Sequence, residues 1–324
     1  MSGELPLAGL ASLVEEIADL KRVRSADGGV RPWADRRFAA AWGRVLSGED
    51  AEVVAVEEAA RAVCAARLAA ITPGQLRHGG LSADEIKAVF VRSLEEHAAA
   101  LGDLLPRLRD AVGRVVHDEL SGASDWGGED AVPLPWFVTA LEAQPRAGAT
   151  CPGRARILLD PPESHAGHCY VVAVAGALAS AREGASPRRP FLFGLTHHLH
   201  NATLADSGFA GEVMLGDRLD TVIDALFERA YADLPTGLAE EVRGMRREFA
   251  HAETADARAF HTADVLDRVA EMRFFERAAT FEARTALEDL ELVHAGPTQA
   301  YGQRVLREAG WWERPTGEQG TSVP

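Results

Sequence analysis

The spacing of hydrophobic residues predicts a protein built almost entirely of α-helices. The clearest segment is 219–230, where apolar side chains recur every three or four residues, as on the buried face of a helix. Residues 82–98 begin with Ser82 and Glu85 at the spacing of a capping box and then carry one apolar stripe. The alternating pattern of strands is scarce. Weaker helical stripes cover the following segments: 6–21, 36–46, 51–70, 99–118, 166–182, 238–250 and 256–282.

Irregular stretches interrupt this helical pattern and divide the chain. Residues 120–135 are rich in Gly, Ser, Asp and Pro and lack periodicity, and a second such stretch follows a short helix. We therefore expect an N-terminal helical region over 1–120, a linker over 121–153 and a second helical domain over 154–312. Residues 313–324 are expected to form a frayed tail.

The composition excludes several classes of protein. The 324 residues hold 34 Lys+Arg against 49 Asp+Glu, which gives a formal net charge of −15 at pH 7. Extended nucleic-acid surfaces and polybasic membrane anchors both need clustered cations, so we expect neither. No run approaches the roughly 18 apolar residues that a membrane helix requires. The N-terminus carries acidic residues where a signal peptide would carry basic ones.

The cysteines indicate a reducing compartment and restrict the ligands available to a metal. Cys64, Cys151 and Cys169 form neither a disulfide framework nor a CxxC zinc motif. We therefore expect a cytoplasmic protein. Any metal in it would be bound by histidine and carboxylate side chains.

The histidines are concentrated in the second half of the chain. Two pairs, His165 with His168 and His197 with His200, have the spacing that places both members on one helix face, and an adjacent imidazole extends the second pair. Imidazoles that converge from several helices are how all-α proteins hold metals. A single histidine is more often a core or surface side chain, but three within HHLH would be costly to bury without partners. The cluster therefore favours a metal site.

This pattern of histidines and carboxylates resembles the HD-domain superfamily, and within it the 5′-deoxynucleotidase-like branch of metal-dependent phosphohydrolases. The similar segments are PESHAGHCYVVA at 162–173, LTHHLHNATLAD at 195–206 and TADARAFHTADVLD at 254–267. The resemblance covers about 154–285. It implies an all-α, HD-domain-like helical bundle, preceded here by an additional N-terminal helical region.

The resemblance implies a metal site with one unusual ligand. The first metal His of the family falls on His168, the His of the His-Asp pair on His197, and the late metal Asp on Asp264. The Asp of the pair is replaced by His198, so the implied site has three imidazoles and one carboxylate. We expect a divalent transition metal (Fe, Co, Ni, Mn or Zn), because imidazoles favour such ions over harder ones.

The resemblance also implies catalytic positions. The carboxylate that follows the pair in the family falls on Asn201, whose amide cannot exchange a proton, and a later family Asp falls on Asp206. Asp206 is expected to orient the attacking water or to protonate the leaving group. Glu163 is expected to cap the first metal helix through Ser164 or to bond a ligand imidazole. In a shifted register, His200 and Asn201 would form the degenerate pair instead.

Further polar residues are candidates for supporting roles in the same site. Two histidines are expected to contact the metal ligands or the substrate: His165 and His261. Two residues are candidates for a second, atypical metal site: His200 and Glu212. Two arginines are candidates for contacts with a nucleotide: Arg154 and Arg156.

Three classes of function are consistent with these residues. The first is a phosphohydrolase that acts on a small phosphorylated, nucleotide-like substrate through a metal-activated water. The second is an HD-fold iron oxygenase or lyase acting on a small molecule, which the histidine-rich ligand set favours. The third is a non-catalytic HD-fold binding protein, which would explain the changes at His198 and Asn201. The N-terminal helices are expected to form a cap or a dimerisation layer, so a homodimer is one expected assembly.

Overall fold

The protein is helical throughout the part of the chain that the structure describes, which confirms the all-α prediction. The structure is a computed structural model, and it describes residues 7–24, 30–122, 133–278, 283–284, 287–288 and 292–312. Within these ranges there is no β-strand, and extended backbone pairs only at two isolated bridges, Pro145 with Ser164 and Ala149 with Ile157.

The helices follow one another through short connections. The α-helices are α1 Leu7–Ala18, α2 Trp33–Leu46, α3 Ala51–Leu68, α4 Pro73–His78, α5 Ala83–Glu95, α6 Ala98–Leu101, α7 Leu105–Ser121, α8 Trp136–Ala143, α9 His165–Glu183, α10 Arg188–Thr196, α11 Gly208–Leu215, α12 Leu219–Tyr231, α13 Thr236–Glu248, α14 Ala255–Ala278 and α15 Gln299–Glu308. Short 3-10 helices lie at Asp19–Lys21, Gly102–Leu104, Leu199–Ala202 and Gly216–Arg218.

Helix α9 is the centre of the fold. Every residue from His165 to Ser180 is buried, because α2, α3, α8, α10 and α14 pack around it. A helix covered on all sides needs no polar face, which is why this segment shows only a weak hydrophobic stripe. No helix in the described ranges combines the length and the apolar character needed to cross a bilayer.

The N-terminal helices share a hydrophobic core with the rest of the protein. Buried side chains of α1, α2 and α3 belong to the same cluster as those of α9, α10 and α14. Helix α8 lies inside the predicted linker 121–153, of which 123–132 is outside the described residues. The division of the chain into domains stays a prediction, and the expected tail 313–324 also lies outside the described residues.

Two local predictions can be compared directly with the structure. The capping box that starts α5 is confirmed: the Glu85 amide donates to Ser82 Oγ, and the Ser82 amide donates to the Glu85 carboxylate. The apolar stripe of α12 was predicted to be buried, and this is only partly correct. Phe227 and Ala230 are buried, whereas Leu219 and Ile223 are partly exposed because they line a cavity.

A buried glutamate joins α2, α3 and α9. Glu58 is fully buried on α3, where Arg37 donates to both of its carboxylate oxygens and Arg44 lies 3.3 Å away. The Tyr170 hydroxyl on α9 donates to the same carboxylate at 3.2 Å. Burial alone would raise the pKa of Glu58, but the neighbouring guanidinium groups, led by that of Arg37, lower it to about 2.

Helices α9 and α10 approach each other very closely. A Cβ atom built on Gly194 would lie 2.4 Å from the Cα of Ala173 and 2.5 Å from its backbone nitrogen. Only glycine fits this contact, since the atoms it faces are backbone that has little freedom to move.

We expect Gly194→Ala to lower the free energy of unfolding by about 1–3 kcal/mol, because the added methyl group forces α10 away from α9. The matched control is Gly244→Ala on α13, where no atom lies within 4 Å of the added Cβ. There the better helix propensity of alanine should stabilise the protein by about 0.5–1 kcal/mol. Urea titrations followed by circular dichroism measure both values, and equal effects at the two positions would contradict the packing argument.

We expect Glu58→Gln to destabilise the protein by about 3–5 kcal/mol at neutral pH, because buried arginines lose their counterion. The folded pKa of about 2 lies below the ordinary value of 4.5, so the ionised carboxylate contributes its full stability above pH 4.5. That contribution is lost as the pH falls from 4.5 toward 2, and the difference between variant and wild type should narrow there. Urea titrations between pH 7 and pH 3 test this, with Glu95→Gln at an exposed ion pair as the control. A deficit that stays constant down to pH 3 would contradict it.

Candidate metal centre

A cavity of about 280 Å³ lies beside the C-terminal end of α10. One part of its wall is polar and includes His197, His198 and Asp264. Much of the remaining wall is apolar, with several leucines and the side chains of Ile223 and Met272. The volume is close to the lower end of the range of about 300–1,000 Å³ found for small-molecule sites.

Two imidazoles and a carboxylate form a small triangle of ligand atoms at the polar wall. His168 Nε2, from α9, lies 3.2 Å from His197 Nε2. Asp264 Oδ1, from α14, lies 3.5 Å from His168 Nε2 and 3.9 Å from His197 Nε2. Ligand atoms bound at about 2.0–2.2 Å to a tetrahedral ion are separated by about 3.3–3.6 Å. The triangle therefore has the dimensions of a ligand set for a single ion.

The other ring nitrogens of these two histidines are already used. His168 Nδ1 donates to Asp267 Oδ2 at 2.7 Å, and His197 Nδ1 donates to the Gly194 carbonyl at 2.7 Å. The lone pairs of both neutral rings are thus at Nε2, where they face each other. Two lone pairs at this distance repel unless a cation lies between them, and metal-binding histidines typically have their second nitrogen engaged in this way. The donor set fits a metal ion.

The histidines of the cluster are uncharged at neutral pH. Burial lowers the pKa of His197 to about 4, although Asp264 opposes the shift. Burial also lowers the pKa of His168 and of His198 well below the ordinary value, and the charge of Arg146 adds to both shifts. Neutral imidazole is the form that binds metals, so no proton has to be removed first.

A buried lysine from the N-terminal region supports His168. Lys21 Nζ lies 2.5 Å from Glu163, 2.9 Å from Asp267 and 3.2 Å from Glu271. Burial disfavours the ammonium, but the three carboxylates outweigh burial and raise the pKa of Lys21. Asp267 therefore joins Lys21 to the imidazole of His168. Two groups of ligand atoms lie within 4.8 Å of one another: those of His168, His197 and His198, and those of Glu163, His168 and Asp267. In the second group, the Lys21 ammonium already contacts both carboxylates.

Arg146, in the segment between α8 and α9, reaches into the cavity. Its Nη1 lies 2.9 Å from His198 Nε2 and 3.7 Å from Asp206 Oδ2, and its Nε lies 3.5 Å from Glu163. The arginines expected to contact a nucleotide, Arg154 and Arg156, are both exposed and are not among the residues that line the cavity. A contact between these two arginines and a nucleotide stays a prediction, and the arginine in the cavity is an earlier one, because the chain folds back at 145–149.

The predicted catalytic positions all line the cavity, in different environments. The Asp206 carboxylate accepts the backbone amides of Ala147 and Gly208, each at 2.9 Å. Burial opposes ionisation of Asp206, but the charge of Arg146 and the hydrogen bonds from the two backbone amides together hold the pKa of Asp206 below its ordinary value. Asn201 is buried and accepts a hydrogen bond from His198 Nδ1 at 2.9 Å.

Glu163 contacts cations and leaves the cap of α9 to its neighbour. Its carboxylate lies against Lys21 and Arg146, and burial, with the charge of Glu271, raises the pKa of Glu163 to about 8. Ser164 is the cap, since its Oγ accepts the Gly167 amide at 2.8 Å. The expectation that Glu163 takes part in the cap was therefore wrong.

Apart from the two arginines, the structure brings three of the four supporting candidates near the cluster. His165 is fully buried, donates through Nδ1 to the Gln144 carbonyl, and has its Nε2 3.6 Å from Asp206. His200 and Glu212 line the cavity, but neither belongs to a group of potential metal ligands among the described residues. His261 lies away from the cavity lining and donates to the Phe249 carbonyl at 2.7 Å.

Some of the residues that sequence reasoning missed had a recognisable signal. Asp264, Asp267 and Glu271 are spaced by three and four residues, so they share one face of α14. That spacing indicates that Asp267 and Glu271 lie on the same side of α14 as Asp264, where a carboxylate can orient a metal-binding imidazole. Lys21 and Arg146 had no such signal, because each reaches the site through long-range packing.

Comparison with known proteins gives one match, to part of the chain. Residues 138–293 match the sequence model of the HD domain family. Neither the curated proteins nor the solved structures gave a significant match. The matched segment contains His168, His197 and Asp264, and the match supports membership of the HD-domain superfamily, as the resemblance implied. HD domains bind divalent metals, and the superfamily is typically one of metal-dependent phosphohydrolases.

We expect Lys21→Met to lower the free energy of unfolding by about 3–5 kcal/mol at pH 7, since a buried cluster of acidic side chains loses its shared cation. Lys87→Met is the matched control, because Lys87 is the other lysine of the chain and is exposed. That variant should stay within about 0.5 kcal/mol of the wild type. Denaturant titrations of both variants provide the comparison, and a small effect at Lys21 would show that the cluster does not need its cation.

Proposed function

We propose that this chain is a metal-dependent phosphohydrolase that acts on a small phosphorylated, nucleotide-like substrate. The observation that carries the proposal is the triangle of His168 Nε2, His197 Nε2 and Asp264 Oδ1 beside the cavity, within the HD-domain segment. These three residues would hold a divalent transition metal, namely Fe, Co, Ni, Mn or Zn. When bound, the metal would polarise a phosphoryl oxygen and lower the pKa of a water molecule at the site.

The cations of the cavity fit a substrate with one small anionic group. Arg146 and Arg268 both line the cavity, and Arg146 is nearest the polar wall that carries His198. A guanidinium group binds phosphate oxygens through two parallel hydrogen bonds. Several carboxylates also line the cavity, so a polyphosphate chain would meet repulsion there.

Asp206 is suited to orient a water molecule and not to protonate a leaving group. Its low pKa keeps it ionised at neutral pH, and both of its oxygens already accept backbone amides. Each carboxylate oxygen has a second lone pair, which can accept a hydrogen bond from water in the cavity. Asn201 orients the His198 ring by accepting the hydrogen bond from Nδ1, and its amide cannot exchange a proton with a substrate.

The apolar part of the cavity supports a substrate with an organic body. Leu219 and Ile223, from the apolar stripe of α12, are among the residues that line the cavity. A nucleoside or a similarly sized group would cover these side chains. The expected small-molecule substrate, the cytoplasmic location and the homodimer all stay predictions.

The iron oxygenase alternative has less support than the phosphohydrolase. A two-iron oxygenase needs a second metal. The other group of carboxylate and imidazole ligands, Glu163, His168 and Asp267, already contacts the ammonium of Lys21. The non-catalytic alternative differs from the hydrolase only in activity, so a measurement of substrate turnover distinguishes the two.

We expect tag-free, chelator-stripped protein to take up about one equivalent of a divalent transition metal, since the triangle offers ligands for one ion. His168→Ala should lose this metal. His78→Ala, which removes an exposed histidine on α4, should retain it. Elemental analysis after reloading with each candidate metal provides the measurement, and a wild type that retains no metal would contradict the site.

The metal-loaded protein should release phosphate from at least one member of a panel of nucleoside monophosphates. Asp206→Asn should reduce the rate by about 10²–10⁴-fold, the range typical of losing a group that assists proton transfer. His78→Ala again serves as the control. Two irons with an O₂-dependent optical change would support the oxygenase, and metal uptake without turnover of any substrate would support the binding protein.

A further inference from the structure

His198 has a different environment from the two histidines that face Asp264. We propose that His198 is not a metal ligand and instead positions Arg146 beside a site with three protein ligands. The family resemblance implied the opposite, namely that His198 replaces the Asp of the pair as the fourth ligand. The inference rests on the metal site proposed above and is independent of the hydrolase activity.

The Asn201 amide determines which nitrogen of His198 carries the proton. Asn201 Nδ2 donates to the Leu204 carbonyl at 3.1 Å, so its Oδ1 must be the atom that faces His198. Oδ1 can only accept, and it lies 2.9 Å from His198 Nδ1. The proton of the neutral imidazole is therefore at Nδ1, and its single in-plane lone pair is at Nε2.

That lone pair is already used by Arg146. The Nη1 atom lies 2.9 Å from His198 Nε2, and a guanidinium can only donate hydrogen bonds. One lone pair cannot serve a metal and a hydrogen bond together. A metal would bind His198 only if the guanidinium moved away.

Several contacts hold Arg146 in place. Its guanidinium lies 3.7 Å from Asp206 and 3.5 Å from Glu163, both largely buried. Its backbone amide donates to the Glu163 carbonyl at 3.0 Å, and the next amide, of Ala147, donates to Asp206 at 2.9 Å. Moving the guanidinium would leave the ionised Asp206 without this cation, which is unfavourable in a buried site.

Among the described residues, no arginine hydrogen bond reaches His168 Nε2, His197 Nε2 or Asp264 Oδ1, and Arg268 lies 4.0 Å from the other oxygen of Asp264. Within the described residues, His168 Nε2 and His197 Nε2 contact each other and Asp264. Three protein ligands with a position left for water or substrate is the usual composition of a catalytic zinc-type site. His198 would then fix a guanidinium next to that position.

Co²⁺ binding to the full chain, without a histidine tag, tests the assignment. We expect His198→Ala to bind Co²⁺ within about threefold of the wild type and with the same visible spectrum, because a neutral group that is not a ligand is removed. His197→Ala should weaken binding by more than the 10–100-fold that is typical of losing an outer partner. His78→Ala is the control for loss of an exposed histidine. Equal weakening by His198→Ala and His197→Ala would overturn the inference.

Arg146→Met provides the reverse test. It frees the Nε2 of His198, so Co²⁺ binding should tighten by about tenfold and the spectrum should change as an imidazole is added. Removing the positive charge of Arg146 also favours binding of a cation by itself. The double variant Arg146→Met/His198→Ala measures this charge effect alone, because it has no imidazole at position 198 to bind Co²⁺. An unchanged spectrum in Arg146→Met would contradict the competition between arginine and metal.

Nitrogen NMR of the wild type provides a check that does not depend on any variant folding. With ¹⁵N-labelled histidine, Zn²⁺ should shift the Nε2 resonances of His168 and His197 and leave His198 with a protonated Nδ1. A comparable Zn²⁺ shift at His198 would overturn the inference. A wild type that binds metal but releases no phosphate would contradict the proposed activity alone, whereas one that binds no metal would contradict both proposals.

Discussion

The candidate site depends on the buried ammonium of Lys21. Three carboxylates, Glu163, Asp267 and Glu271, meet around it in the interior, where an unpaired charge would cost several kcal/mol. Asp267 is shared between Lys21 and His168, so the same ion cluster orients an imidazole at the candidate metal centre. The N-terminal region therefore supplies part of the site, and α1 and its 3-10 extension cannot be regarded as a separable cap.

The imidazoles are oriented by three different acceptors. His168 donates to a carboxylate, His197 to the carbonyl of Gly194, and His198 to the amide oxygen of Asn201. The close contact at Gly194 that joins α9 and α10 thus also sets the position of an imidazole. The geometry of the site therefore depends on the packing of the central helices, since a shift of α10 would move His197 relative to His168.

Sequence reasoning found the residues that lie on regular helical patterns. The all-α fold, the capping box of α5 and the histidines near the cavity follow from periodicity and spacing, which are local properties. It misjudged the outward part of the α12 stripe, because an apolar residue that lines a cavity has the same pattern as one in a core. The sequence also favoured Arg154 and Arg156 over Arg146, because these two are nearer in sequence to α9. Distance along the chain does not show that the segment folds back and brings Arg146 into the cavity.

The sequence by itself determined the helical class, the acidic character that disfavours nucleic-acid binding, and the set of imidazoles and carboxylates from which a metal site could be built. Only the tertiary structure decided which of these atoms meet. It placed Lys21 beneath His168, and it placed Arg146 against His198. The physical reason is that lone pairs and buried charges act over a few ångströms, whereas the residues that carry them are separated by up to 250 positions along the chain, from Lys21 to Glu271.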